Sequence, residues 1–361
     1  MQVKILHVVG ARPNFMKAAP VMRALASHAG GSQTLVHTGQ HYDANMSEIF
    51  FRQLGLPAPD VNLEVGFGSH AVQTAHIMMR FEEVALAQQP DLVLVYGDVN
   101  STVAAALVCA KLKIPVGHVE AGLRSFDRSM PEEINRLLTD QVADLLFTPS
   151  ADGNENLQRE GVAPEKIHLV GNVMIDTLIR LLPETEQRRS PSMQAPKSYG
   201  LVTLHRPANV DAPEMLVKIM GTLDEISRRL PLIFTIHPRT RQNLQNLGFA
   251  PSHASFTLID PLSYLDFLTL QRHARLVITD SGGVQEETTY LGVPCLTMRP
   301  NTERPVTVEL GTNILVGADG ARLKTEVARI LAEEGKPGTV PPLWDGNAGE
   351  RIAAVIWNFR F

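Results

Sequence analysis

Short runs of aliphatic and β-branched residues alternate with longer stretches of helical periodicity, and the alternation begins at residue 3. The runs VKILHVV (3–9), QTLVHT (33–38), DLVLVYG (91–97), PVGHV (115–119), DLLFT (144–148) and IHLVG (167–171) read as strands. Between them lie helical patterns. HAVQTAHIMMRFEEVALAQQ follows Ser69 as N-cap, PEEINRLLTDQVA opens on Pro131 in a first-turn position, and ADGNENLQREG follows Ser150. STVAAALVCAKLK is a fourth. Strand-helix alternation of this kind predicts a parallel sheet with helices on both faces.

The pattern breaks at PETEQRRSPSMQAPK (183–197), which is polar, aperiodic and holds three prolines, so it reads as a linker or long loop. Alternation restarts with SYGLVTLH, LIFTIH, SFTLID, ARLVITD and VPCLTM, which predicts a second α/β domain. NAGERIAAVIWNF closes the chain as an amphipathic helix. Two such domains are expected to face each other across a cleft, with ligand groups beyond the carboxyl ends of the strands.

Composition narrows this little. The chain has 361 residues, 44% hydrophobic and 20% charged, enough for two ordinary cores. A net charge of -5 without a long basic run argues against nucleic acid or an anionic membrane as partner. Cys109 and Cys295 sit in apolar segments and read as buried free thiols. Arg12 and Pro13 cut short the first apolar run, so no export signal is expected. No segment approaches the roughly 20 apolar residues of a membrane span. The expected location is cytoplasmic.

The residues after each strand carry the chemistry. GARPNFMK puts Arg12 and Lys17 near a helix start, as an anionic ligand or merely a solvated loop would allow. No GxGxxG is present, so a nicotinamide or flavin fingerprint is absent. Asp98 and Glu120 end the next strands, followed by Arg124, Asp127, Glu132 and Glu133. Acids in the first turn of a helix also serve the dipole alone, a reading that applies to Glu132 and Glu133. Acids crowded at strand ends are expected to raise one another's pKa and suit acid-base work. His205 follows a strand of the second domain and suits an acid, a base, a phosphate donor or a structural role; His237 and Arg239 follow the next strand. In TDSGGVQEE (279–287), Gly282 and Gly283 let backbone N–H groups approach an oxyanion at a helix start, and Ser281 offers a hydroxyl. Glu287, one turn further, suits a ribose diol, while Arg299 and Arg304 suit a diphosphate. No Cys-His or carboxylate cluster has metal-site spacing.

Taken together, the blocks GARPNFMKAAP, TGQHYD, YGDVNST, HVEAGLRS, MPEEINR, GNVMIDTL, VTLHRP, TDSGGVQEE and TERP followed by GTN resemble the non-hydrolysing UDP-N-acetylglucosamine 2-epimerases along essentially the whole chain. The resemblance implies a GT-B-like fold of two Rossmann-like domains, spanning 1–172 with a returning helix 347–361, and 173–346. It implies a homodimer that acts on a UDP-sugar without NAD or metal. It implies UDP contacts from Arg12, Phe267, Ser281, Gly282, Gly283, Glu287 and Arg304, and catalytic roles for Asp98, Glu120, Glu132 and His205 supported by Lys17. The implied chemistry is elimination of UDP to a 2-acetamidoglucal and re-addition with inverted C2.

Three departures bear on this. Tyr42 stands where regulated relatives place an arginine within a Gln-His-Arg block, so activation by a second UDP-sugar is expected to be weak or absent. The block after His205 reads RPANVD, and Leu262 stands where some relatives place glutamine. These leave open a 2,3-diacetamido uronic-acid substrate. A GT-B glycosyltransferase shares the UDP grip but needs fewer acids, and a hydrolysing epimerase would release the free sugar.

Overall fold

The computed structural model describes residues 3–28, 30–40, 51, 53–186 and 196–360. The chain forms two compact units, Met1–Thr177 with Pro342–Phe361, and Leu178–Pro341. In the first unit the strands are β1 (Val3–Val9), β2 (Gly31–His37), β3 (Val61–Asn62), β4 (Leu92–Tyr96), β5 (Val116–Val119), β6 (Leu145–Thr148) and β7 (Ile167–Leu169). They pair in parallel in the order β3-β2-β1-β4-β5-β6-β7. The helices are α1 (Arg12–Ala26), α2 (His70–Gln88), α3 (Asn100–Leu112), α4 (Pro131–Val142) and α5 (Ala151–Arg159), and α6 (Val173–Glu186) crosses the boundary at Leu178 into the second unit.

The second unit holds β8 (Gly200–Thr203), β9 (Leu232–Thr235), β10 (Phe256–Ile259), β11 (Leu276–Thr279), β12 (Cys295–Thr297) and β13 (Asn313–Leu315), also parallel, in the order β10-β9-β8-β11-β12-β13. Its helices are α7 (Pro207–Val210), α8 (Pro213–Ser227), α9 (Pro238–Asn246), α10 (Tyr264–His273), α11 (Gly282–Leu291), α12 (Pro305–Glu309) and α13 (Gly320–Leu331). The helix α14 (Ala348–Asn358) belongs to the first unit.

Both sheets are buried on two faces, which is why their strands read as continuous apolar runs. Successive strand residues point to opposite sides. In the second unit Val202, Phe234, Ile278 and Leu296 therefore meet Leu216, Ile219 and Leu223 of α8. Their neighbours Leu201, Ile233 and Val277 meet Leu270 and Val284 on the other face. The α8 residues sit at i, i+3 and i+7, one helical stripe. Each such side chain contributes about 1.5–3 kcal/mol through burial.

A backbone conflict in α1 is resolved at long range. Pro20 lies inside the helix and has no N–H to give the carbonyl one turn back, at Met16. The Thr177 hydroxyl donates to that carbonyl at 2.6 Å. One residue earlier, the Asp176 carboxylate accepts from Ala348 N at 3.1 Å and Gly349 N at 2.7 Å, satisfying first-turn donors of α14.

Three sequence expectations change. Helix α6 continues through Pro183 to Glu186, so the supposed linker starts inside a helix; a proline there leaves earlier turns intact when α6 has nearly ended. Strands β3, of two residues, and β13, of three opening on the polar Asn313, add to the expected set without a periodic signal. Ser150 occupies an N-cap position but makes no capping bond. Residues 41–43, which carry the expectation about substrate activation, lie outside the described residues, as do Arg188 and Arg189. Cys109 and Cys295 are buried and unbonded to each other. Among the described residues, no helix is long and apolar enough to cross a membrane.

Candidate active site

In a parallel sheet the order reverses where a ligand crevice opens, and in the first unit that point lies between β1 and β4. The chemistry-bearing residues gather there. Arg12 starts α1 after β1, Asp98 follows β4 and Glu120 follows β5, on three adjacent strands. Asn14 fixes the first turn: its side-chain oxygen accepts from Gly10 N and Ala11 N at 3.0 Å, and its amide donates to the Tyr96 carbonyl at 2.7 Å. Lys17 and Glu120 form a buried pair at 2.7 Å. Gly97 makes room for it, since a Cβ there would lie 2.7 Å from Lys17 Nζ, and its φ of +65° suits glycine.

Asp98 is bonded by Arg136, through Nε at 3.0 Å and Nη2 at 2.7 Å. The expected bare cluster of acids is thus not what forms. Asp98 and Glu120 are each paired with a cation; for the buried Glu120 this offsets the cost of desolvating a carboxylate. Arg136 also holds Glu133 at 2.5 Å. Glu133 is buried and accepts from Ser125 N, Ser125 Oγ and Phe126 N, so it organises the preceding loop. Glu132, its neighbour, is half-buried in the first turn of α4. Arg124 and Asp127 take structural parts: Arg124 pairs with Asp140 and Glu160, both at 2.7 Å, and Asp127 caps Ser129.

Glu120 has a φ of +75°. A side chain in the left-handed region costs free energy, so its surroundings must over-determine it. They do. Glu120 N and Ala121 N both donate to the Phe147 carbonyl, at 3.1 and 3.0 Å. Asp140, fully buried, accepts from Gly122 N at 3.1 Å and contacts His118 Nδ1 at 2.6 Å. His118 Nε2 in turn donates to the Gly97 carbonyl at 2.8 Å. Burial alone would raise the Asp140 pKa, but His118 and Arg124 outweigh it and hold the carboxyl below its ordinary value. One carboxylate thus braces the turns that carry both Asp98 and Glu120.

The second unit repeats the arrangement at β8 and β11, where its strand order reverses. His205 follows β8 with its side chain half exposed, and its Nδ1 lies 3.1 Å from Asp280 Oδ1. Asp280 also accepts from His205 N and Arg206 N, at 3.1 and 3.0 Å, and from the Asn209 amide at 2.9 Å. Burial pushes the Asp280 carboxyl up, yet these donors bring it below its ordinary value. An ionised Asp280 favours the tautomer with the proton on Nδ1, which presents Nε2 as an acceptor.

Ser281 is the N-cap of α11, with no capping bond from its hydroxyl, and Gly282 and Gly283 open the helix. Its first N–H groups have no acceptor within the helix. Above Gly282 lies Arg304; a Cβ at Gly282 would come within 2.4 Å of its guanidinium. Arg299 and Arg304, the two cations expected to suit a diphosphate, are held in a buried ladder of carboxylates. Arg304 bonds Glu286 at 2.8 Å and Glu303 at 2.5 Å, and Arg299 bonds Glu303 at 2.6 Å. Glu287 accepts from the Tyr264 hydroxyl at 2.9 Å. Burial pushes the Glu287 carboxyl up to about 7, only partly countered by that bond. Phe267 and Leu262 pack half-buried on the adjoining core cluster. His237 caps α9 through Arg239 N, and Arg239 pairs with Asp211, which gives both a structural part.

Comparison with known proteins bears directly on this arrangement. The family profile described as UDP-N-acetylglucosamine 2-epimerase matches residues 23–357. The chain belongs to that family. It is 42% identical to a UDP-N-acetylglucosamine 2-epimerase of Methanococcus maripaludis, over 98% of each chain. It is 44% identical to a UDP-2,3-diacetamido-2,3-dideoxy-D-glucuronate 2-epimerase of Pseudomonas aeruginosa, over 98% of this chain and 99% of that one. Among solved structures, the Methanocaldococcus jannaschii UDP-GlcNAc 2-epimerase in complex with UDP-GlcNAc and UDP superposes with a TM-score of 0.91 at 43% identity, covering 99% of this chain and all of that one.

As a member of this epimerase family the chain is an isomerase. Sequence reasoning singled out the epimerase's strand-end acids and its glycine turn after β11 but passed over Asn14, Arg136, Asp140, Tyr264 and Asp280. Asp280 had a local signal, standing one residue before the Ser-Gly-Gly turn. The others reach partners as far as 82 positions away, and nothing local marks them.

Proposed function

We propose that the chain interconverts UDP-N-acetylglucosamine and UDP-N-acetylmannosamine. The observation that carries this reading is the 43% identity, over the full length, to a structure described as a complex with UDP-GlcNAc and UDP. The residue set supports it. The proposed UDP contacts are Arg12, Phe267, Ser281, Gly282, Gly283, Glu287 and Arg304. The proposed catalytic residues are Asp98, Glu120, Glu132 and His205, with Lys17 holding Glu120.

In the proposed mechanism a base takes the C2 proton while the C1–O bond to UDP breaks, leaving a C1–C2 double bond and free UDP. UDP then adds back to C1 as a proton reaches the other face of C2. The growing charge on UDP suits a helix N-terminus, and two faces require more than one acid-base group. Incubation with UDP-N-acetylglucosamine in deuterated water is expected to yield UDP-N-acetylmannosamine carrying deuterium at C2, read by proton NMR. Product without deuterium would sink the elimination. Free N-acetylmannosamine would indicate a hydrolysing enzyme.

A second substrate is favoured by the Pseudomonas relative at 44% identity, whose named activity is on a 2,3-diacetamido glucuronate. Parallel assays with both UDP-sugars decide between them by kcat/KM.

Glu287 supplies a pH signature. A ribose diol donates two hydrogen bonds and favours the carboxylate, whereas the free protein holds this group near pH 7. UDP binding is therefore expected to strengthen as pH rises through about 7 and to release a proton below it. Calorimetry in two buffers of different ionisation enthalpy reads the release directly. Tyr264→Phe removes a bond that favours the ionised form and should move the transition to higher pH. A pH-independent affinity would exclude Glu287 from the ribose contact.

A further inference from the structure

Strand β13 is the outer strand of the second unit's sheet, and a cavity of about 550 Å³ lies along it. Its charged lining is Arg299, Arg322 and Lys336; the rest is largely the β13 backbone with Pro300 and Val308. Among the described residues no carboxylate lines it, and none of the proposed UDP contacts does.

Each cation has a different standing. Lys336 is committed, donating to the carbonyls of Val308, Gly311 and Asn313. Arg322 is exposed on the first turn of α13. Arg299 is 4% exposed, and only Nη2 reaches Glu303; its Nη1 is buried with no hydrogen-bond acceptor. A buried guanidinium N–H without an acceptor is unfavourable, which leaves Arg299 with donor capacity that Glu303 does not use. The start of α13 contributes nothing, because Asp319 already accepts from Ala321 N and Arg322 N.

We propose that this cavity binds a small phosphate-bearing anion at a site separate from the glycine turn after β11. Two guanidinium groups favour a multidentate tetrahedral anion over a single carboxylate, and the volume suits a small metabolite. The site is also wired to that turn, since Arg299, Glu303, Arg304 and Glu286 form one continuous ladder. An anion that draws on Arg299 changes how firmly Glu303 holds Arg304. The inference does not depend on which sugar the enzyme takes.

Titration with inorganic phosphate tests it, using protein saturated with UDP so that the glycine turn is filled. Saturable binding is expected, with Kd on the order of 1 mM. Arg322→Glu is expected to weaken it by roughly tenfold or more, and Arg322→Lys to weaken it less, since the charge stays while the two-pronged contact is lost. Arg322→Glu should leave turnover in phosphate-free buffer unchanged. Absence of saturable binding overturns the proposal. So does phosphate binding that UDP abolishes, or that Arg322→Glu leaves intact.

Discussion

Replacing Asp98 by asparagine is expected to lower kcat by roughly 10²- to 10⁴-fold, the usual range for loss of a positioned acid-base group. The change is nearly isosteric, so it tests chemistry more than packing. The Asp98 side chain is about a quarter exposed at 23%, and its backbone carbonyl stays held by the Asn135 amide at 2.8 Å. Arg136 keeps its buried partner Glu133. The thermal transition is therefore expected to stay close to wild type while turnover and C2 proton exchange fall together. An Asp98→Asn enzyme with near-normal turnover would remove Asp98 from the chemistry. A variant that loses stability and activity in proportion would reduce it to an anchor for Arg136.

Asp140→Asn is expected to cost stability, on the order of 3–5 kcal/mol, as removal of one member of a buried ionic cluster does. Arg124 and the His118 ring would lose their shared carboxylate in a fully buried site. The sign of the pH dependence follows from the direction of the shift. The native carboxyl titrates below its ordinary value of 3.8, so its contribution is present above that pH and is lost as pH falls through the lower native value. The gap between wild type and variant should therefore be wide near neutrality and narrow in acid. Urea unfolding followed by tryptophan fluorescence reads this cleanly. Both tryptophans, Trp344 and Trp357, lie in the segment Pro342–Phe361 and so report the first unit. A gap under about 1 kcal/mol, within the range of an exposed ion pair, would contradict the bracing role. A kcat that stays at wild-type level would show that Asp98 and Glu120 do not need the brace.

Much of the fold was legible because two-sided burial writes itself into a strand as an unbroken apolar run. Strands β1 and β4 emerged within a residue or so of the expected spans, and Pro131 took its first-turn place in α4. Strand β13 escaped because its three residues open on the polar Asn313 and leave only two apolar positions to mark it. The candidate site was legible in its residue types and not in its pairings. Lys17 could be read as a cation near an anion, but its partner Glu120 lies 103 positions on. Arg304 looked like a spare cation; Glu286 and Glu303 look like helix and loop acids until the fold stacks them. Glu133 and Glu132 are adjacent and identical in type. Only the loop at Ser125 and Phe126, folded back onto one of them, separates a structural acid from a catalytic candidate.

The first unit gathers residues from both sides of the second along the chain. During synthesis, then, the second unit can complete its sheet while the first still waits for α14. Until then the carboxylate of Asp176 must wait for donors 172 and 173 positions further on. The Pro149 carbonyl likewise waits for the indole of Trp344, 195 positions away. The nascent first unit thus holds these groups unpaired while the whole second unit is synthesised, and it is completed only when the segment Pro342–Phe361 docks.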